Sequence, residues 1–114
     1  MTPGEVLQLW YDAHRDGDMG AARALLTDDC LIELPDRELV GFDAFLAWSR
    51  ERADREGPDF SMAVVDVMPG AGHVATLLDL RKGERRWRQL AIYTVRDDRI
   101  ASIWAAESNH PVGT

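Results

Sequence analysis

A single cysteine, Cys30, excludes an internal disulfide and any multi-cysteine metal site. It lies in an apolar run, where a thiol is expected to be buried, and a reducing, cytoplasmic setting is the simplest expectation. Long apolar runs are missing as well. No stretch approaches the roughly 20 residues of a membrane-crossing helix, and no apolar N-terminal segment resembles a signal peptide. Cationic charge is scarce: 13 Lys and Arg stand against 20 Asp and Glu, a net charge of -7 that opposes binding to nucleic acid or to an anionic membrane. His73 falls at a turn and His110 near the C-terminus, so neither looks like a metal ligand. No Ser-His-Asp, Cys-His, glycine-rich phosphate or His-cluster signature occurs. No metal and no cofactor is expected, and the partner left standing is a small, mostly uncharged molecule.

What is present is ordinary globular material, 46% hydrophobic and 29% charged over 114 residues. That composition and length predict a single domain, 1–114, with a real core. Thr2-Pro3-Gly4-Glu5 is a capping box with proline at the first helical position, and it starts a helix that ends near Arg15 with Gly17 as its cap. Pro3, Leu7, Trp10 and His14 share one stripe of that helix. Asp18 caps a shorter helix, Met19 to Leu26, rich in small residues. Asp28-Asp29 marks a turn, Cys30 to Leu34 a short strand, and Asp36 to Glu38 a polar loop. Gly41 opens a third helix whose Phe42, Phe45, Leu46, Ser49 and Ala53 repeat at helical spacing, with Arg50, Glu51, Asp54 and Arg55 outward, until Glu56-Gly57-Pro58 stops it.

From Phe60 the period becomes two: Phe60 to Met68, His73 to Arg81, then a hairpin turning at Arg96-Asp97-Asp98-Arg99. Helices followed by an antiparallel meander predict an α+β fold. In the last hairpin Trp87, Gln89, Ala91, Tyr93 and Val95 share a face with Ala101, Ile103, Ala105 and Glu107. Leu90, Ile92, Thr94, Ile100, Ser102 and Trp104 take the other. Both faces are largely apolar, so each needs cover. The helices cover the first, and a second copy of the chain is expected on the second, making a homodimer through Leu90, Ile92 and Trp104.

Leu9-Trp10-Tyr11, Asp16-Gly17-Asp18, Leu26-Thr27-Asp28-Asp29-Cys30, Val40-Gly41 and Val95-Arg96-Asp97-Asp98-Arg99-Ile100, in this order, resemble the nuclear transport factor 2-like superfamily, in particular its SnoaL-like and ketosteroid-isomerase-like branches. The resemblance spans nearly the whole chain. It implies a cone: a curved antiparallel sheet, of the cystatin-like α+β barrel type, wrapped around the three helices and an apolar pocket. The pocket would be lined by Trp10, His14, Leu34, Trp48, Gln89, Ala91, Tyr93 and Ile103. Chemistry does not carry over with the scaffold. Where steroid isomerases place their carboxylate base this chain has Leu34, and their oxyanion-hole tyrosine and aspartic acid fall on Trp10 and Ala91. Against limonene-epoxide-hydrolase-like members, Asp79 matches one acid, but Leu77 and Ala105 replace the arginine and the second acid.

Three titratable residues remain as catalytic candidates. His14 either points along the pocket axis to move protons or bonds the last carbonyls of its helix. Asp79, inside an apolar strand, either faces the pocket or pairs with Arg86 on the outer face, depending on the length of the Lys82-Gly83 turn. Glu107 is either an acid or base at the pocket rim or a solvated strand end. Arg81, Lys82, Arg85, Arg86 and Arg88 crowd one hairpin tip, as an anion site or as a solvated end that blunts edge pairing. The expected function is cofactor-free acid-base chemistry of an isomerase, cyclase or dehydratase type on a carbonyl-bearing, polyketide- or terpenoid-like molecule. The alternative is a non-catalytic ligand-binding or dimerisation domain of the same fold.

Overall fold

The structure, a computed structural model, describes residues 1–108. Its elements run α1 (Pro3–Arg15), α2 (Met19–Ala24), β1 (Leu26–Glu33), β2 (Glu38–Val40), α3 (Phe42–Glu56), β3 (Phe60–Pro69), β4 (His73–Lys82), β5 (Arg85–Arg96) and β6 (Arg99–Glu107). The capping box forms as its residues dictate: Thr2 Oγ1 accepts from Glu5 N at 3.2 Å, and the Glu5 carboxylate accepts from Thr2 N at 3.0 Å. Asp18 caps α2 by accepting from Ala21 N at 3.1 Å. Gly41 begins α3 with φ +83°, and a Cβ there would lie 3.2 Å from the Asp28 carbonyl oxygen. Glycine therefore lets the chain turn from β2 into the helix hard against β1.

The six strands form one curved sheet in the order β2-β1-β6-β5-β4-β3. Two features depart from the expected antiparallel cone. β1 lies parallel to β6, so the sheet is mixed, and it is not closed into a barrel. β1 also begins at Leu26, running through the Asp28-Asp29 pair expected to turn, and Glu38–Val40 forms a short strand against it instead of extending the loop. The expected Cys30 to Leu34 strand is present as the second half of β1; neighbour pairing supplies its first half and β2, whose short sequences, interrupted by acids, carry no alternation to announce them.

Asp97 and Asp98 both have positive φ, 53° and 60°, the two-residue geometry that matches strand twist. The register of β5 with β6 shifts between Thr94 and Val95, leaving Ala101 unpaired. This bulge reverses the expected alternation at the start of β6: Ile100 pairs with Val95 and is fully buried, where unbroken alternation placed it outward. From Ser102 onward the faces are as the alternation predicts.

Buried side chains fall into two groups. The larger joins Val6, Leu7 and Trp10 of α1 to Ile32, Val74, Ala91, Tyr93, Ile100 and Ile103 of the sheet. The smaller holds Leu78, Leu80 and Trp87, with Phe60 against it. β3 closes one edge of the sheet and is exposed along nearly its whole length.

Candidate functional site

Strand register fixes which groups enter the space between helices and sheet. On β4 and β5 the pairs Val74–Tyr93, Thr76–Ala91, Leu78–Gln89 and Leu80–Trp87 share the concave face with the α1-packed core. β3 continues that face with Met62, Val64 and Val67, paired to Leu80, Leu78 and Thr76. These three remain 55%, 48% and 42% exposed, so the concave side is open along β3. An apolar wall left half-exposed is unusual on the inner side of a sheet.

Among the described residues, three polar atoms are buried on this side without a hydrogen-bond partner, His14 Nε2, Gln89 Oε1 and Arg52 Nε, whereas the hydroxyls of Tyr11 and Thr76 lie against the Tyr93 phenol. Buried polar atoms are nearly always paired, because an unpaired one forfeits its hydration without return. The His14 ring stands edge-on to Trp10, with centroids 4.2 Å apart, and 5.7 Å from Phe45. Burial among these rings lowers its pKa below the ordinary 6.5. The carbonyls at the end of α1 are served instead by backbone: Asp16 N donates to Asp12 and Gly17 N to His14. Tyr93 is buried beside Tyr11 and Thr76, and burial raises its phenol well above the usual 10.

Asp79 is on the other side of the sheet. Gly83 and Glu84 form the two-residue turn, Lys82 pairs with Arg85, and Asp79 is set opposite Arg88 on the convex face. Its carboxylate lies 2.8 Å from Arg86 Nη2 and within 3.7 and 3.8 Å of Arg81 and Arg88, and the Arg86 hydrogen bonds hold its pKa below the usual 3.8. Of the two courses open to Asp79 the structure takes the outer one, pairing with Arg86 on the face opposite His14, so its place as a catalytic candidate in the pocket is corrected. The arginine-rich hairpin tip is the setting of this ion cluster.

Glu107 takes the concave face opposite Gln89. Its carboxylate accepts from Trp87 Nε1 and from Arg52 Nη2, each at 3.2 Å. Arg52 is the residue that sequence reasoning missed. Its side chain is only 11% exposed, and its guanidinium carbon lies 5.5 Å from the Trp48 ring centroid and 5.1 Å from that of Phe60. The signal was in the spacing: Phe45, Trp48, Arg52 and Glu56 follow one helical stripe, whereas Ala53, assigned to the buried side, is exposed.

The remaining expected lining residues divide. Trp10, Ala91, Tyr93 and Ile103 are buried in the larger cluster, with Leu34 half-buried against it. Trp48 packs on Phe45 at 6.0 Å and leads toward Arg52. Gln89 stands between the two clusters. His110 lies outside the described residues, and among those described no three His, Cys, Asp or Glu side chains converge on a metal-sized site. A shallow depression on the opposite, convex side runs between Met68, His73, Ala75, Ile92 and Thr94.

Three helices on one side of a curved, open, six-stranded mixed sheet define the nuclear transport factor 2-like fold. Residues 7–103 match the model of the SnoaL-like domain, and the chain belongs to that family. A candidate ketosteroid isomerase from Kribbella flavida DSM 17836 superposes with a TM-score of 0.73 at 19% identity, covering 96% of this chain and 82% of its own. A candidate polyketide cyclase from Sinorhizobium meliloti gives 0.72 at 16% identity, covering 90% and 94%. AclR, a candidate hydroxylase from Streptomyces galilaeus, gives 0.71 at 12% identity, covering 96% and 91%. At such identities the likeness is one of fold, and three activities on one scaffold leave chemistry to the side chains. No curated protein matches the chain significantly.

Proposed function

We propose that the open concave face between α1, α3 and the β3–β5 sheet binds a small, flat, mostly apolar molecule bearing a carbonyl, and acts on it by cofactor-free proton transfer. The observation that carries this is the pair of unpartnered polar atoms, His14 Nε2 and Gln89 Oε1, beside the half-exposed apolar wall of Met62, Val64 and Val67. A ligand with a few polar atoms satisfies the first and covers the second. His14 is the proton-transfer residue, because an imidazole kept neutral by burial is a base near neutral pH. Glu107 is the carboxylate on the same face.

The test uses 2-acetylnaphthalene, with binding followed by tryptophan fluorescence and exchange of its methyl protons in D2O by NMR. Wild type should bind it and accelerate exchange, and His14→Gln should lose ~100-fold or more of that acceleration while still binding. Binding without exchange identifies a ligand-binding domain instead of an enzyme, and absence of binding ends the proposal.

We further propose that the convex face, where Leu90 and Ile92 flank a Trp104 that is 43% exposed, seats a second copy of the chain. Trp104→Glu should convert a dimer into monomer in sedimentation velocity at micromolar concentration. A monomeric wild type rules the dimer out.

A further inference from the structure

Arg52 is tethered but not satisfied. Nη2 donates to Glu107 at 3.2 Å, the ring faces of Trp48 and Phe60 flank the guanidinium, and Nε is buried with no partner. Guanidinium is the side chain least able to shed its charge, and a planar donor held by two aromatic rings is preorganised. A buried N–H without a protein partner is one that a ligand oxygen satisfies. The nature of the acceptor follows from charge. Glu107 already neutralises the cation, so an incoming carboxylate would meet Glu107 and gain no net attraction, whereas a neutral carbonyl oxygen accepts the free N–H without adding charge.

We infer that Arg52 is the polar anchor of the concave site and that its Nε–H selects ligands presenting a neutral ketone oxygen over those presenting a carboxylate. The inference rests on the concave face being the binding site and adds the group that reads the ligand's oxygen. Arg52, Glu107 and Trp87 form one unit: Trp87 Nε1 holds the second carboxylate oxygen at 3.2 Å, which keeps Glu107 turned toward Arg52 and fixes the guanidinium in turn.

Three probes of nearly equal shape separate the cases: 2-acetylnaphthalene, its alkene isostere 2-isopropenylnaphthalene, and 2-naphthoate, each titrated by tryptophan fluorescence. Wild type should prefer the ketone to the alkene by ~10-fold, the size expected for one hydrogen bond from a charged donor, and should bind naphthoate more weakly than the ketone. Arg52→Gln should erase the ketone preference and leave alkene affinity within about twofold. Arg52→Lys keeps the charge beside Glu107 and guards against loss of fold, checked by circular dichroism, and it too should lose the preference because it lacks the Nε donor. Ketone and alkene binding wild type equally, naphthoate binding best, or a ketone preference that survives both substitutions would each overturn the anchor and leave the concave-face reading intact. Failure of all three probes to bind would overturn that reading and the anchor with it.

Discussion

The end of the molecule around α1 and the end around β3 are built on different terms. Around α1, Val6, Ile32, Val74 and Ile100 are completely buried, the helix is capped from both directions at its start, and Gly41 draws α3 close to β1. Around β3, apolar side chains of the inner face stay half in solvent, and the seam between the two buried clusters carries Gln89 with an unpaired oxygen. A closed end supplies stability. An open end holds groups in place without satisfying them, and such sites are where binding energy is available.

The largest expected effect tests that division. Ile32→Ala removes a fully buried side chain and should lower unfolding free energy by ~2–5 kcal/mol, read as a lowered urea midpoint. Val64→Ala, at an inner-face position that is 48% exposed, should cost less than ~1 kcal/mol and instead weaken binding of 2-acetylnaphthalene. Equal losses of stability at the two positions would mean that both ends are packed alike.

Asp79 sharpens the comparison from the convex side. Its pKa is depressed by Arg86, so the ionised carboxylate contributes stability that is complete above the ordinary 3.8 and is lost as pH falls through the lower folded value. Asp79→Asn should therefore lower the thermal midpoint at pH 7, with the deficit shrinking below pH 4. Ketone binding should be unaltered in that variant. A binding or exchange defect without a change in stability would return Asp79 to the concave site.

How much of this was legible in the sequence follows from the range of each signal. The α1 capping box, the α3 boundaries at Gly41 and Gly57, and the last turn at Asp97-Asp98 are local, and three or four residues specify each. The outward course of Asp79 hung on one residue of turn length, because period-two strands exchange faces with a one-residue shift. The parallel pairing of β1 with β6 joins segments about 70 residues apart and has no local trace at all. Arg52 was hidden by its type: a charged residue on a helix is assigned to solvent unless the stripe is read as geometry, with Trp48 and Phe45 one and two turns before it. The residues that local reasoning placed least well, Arg52 and Asp79, are charged groups in largely buried settings, where partner and burial decide together.

The smallest expected effect lies at the seam itself, in His14. Burial lowers its folded pKa below the 6.5 of an unfolded chain. As pH falls through 6.5 the unfolded chain binds a proton that the folded one refuses, so stability declines until the folded pKa is passed, below which the loss is complete and constant. The alternative geometry, an imidazolium bonded to the carbonyls at the end of α1, would raise the pKa and make the same acidification stabilising. The two are told apart by urea midpoints at pH 7.5 and 5.5 for wild type and His14→Gln, whose difference isolates the contribution of His14. Wild type should lose more stability than the variant over this interval, and a two-dimensional NMR titration should place the His14 midpoint below 6.5. A midpoint above 6.5 would make His14 a structural cap, and it would withdraw the neutral imidazole on which proton transfer at the concave face depends.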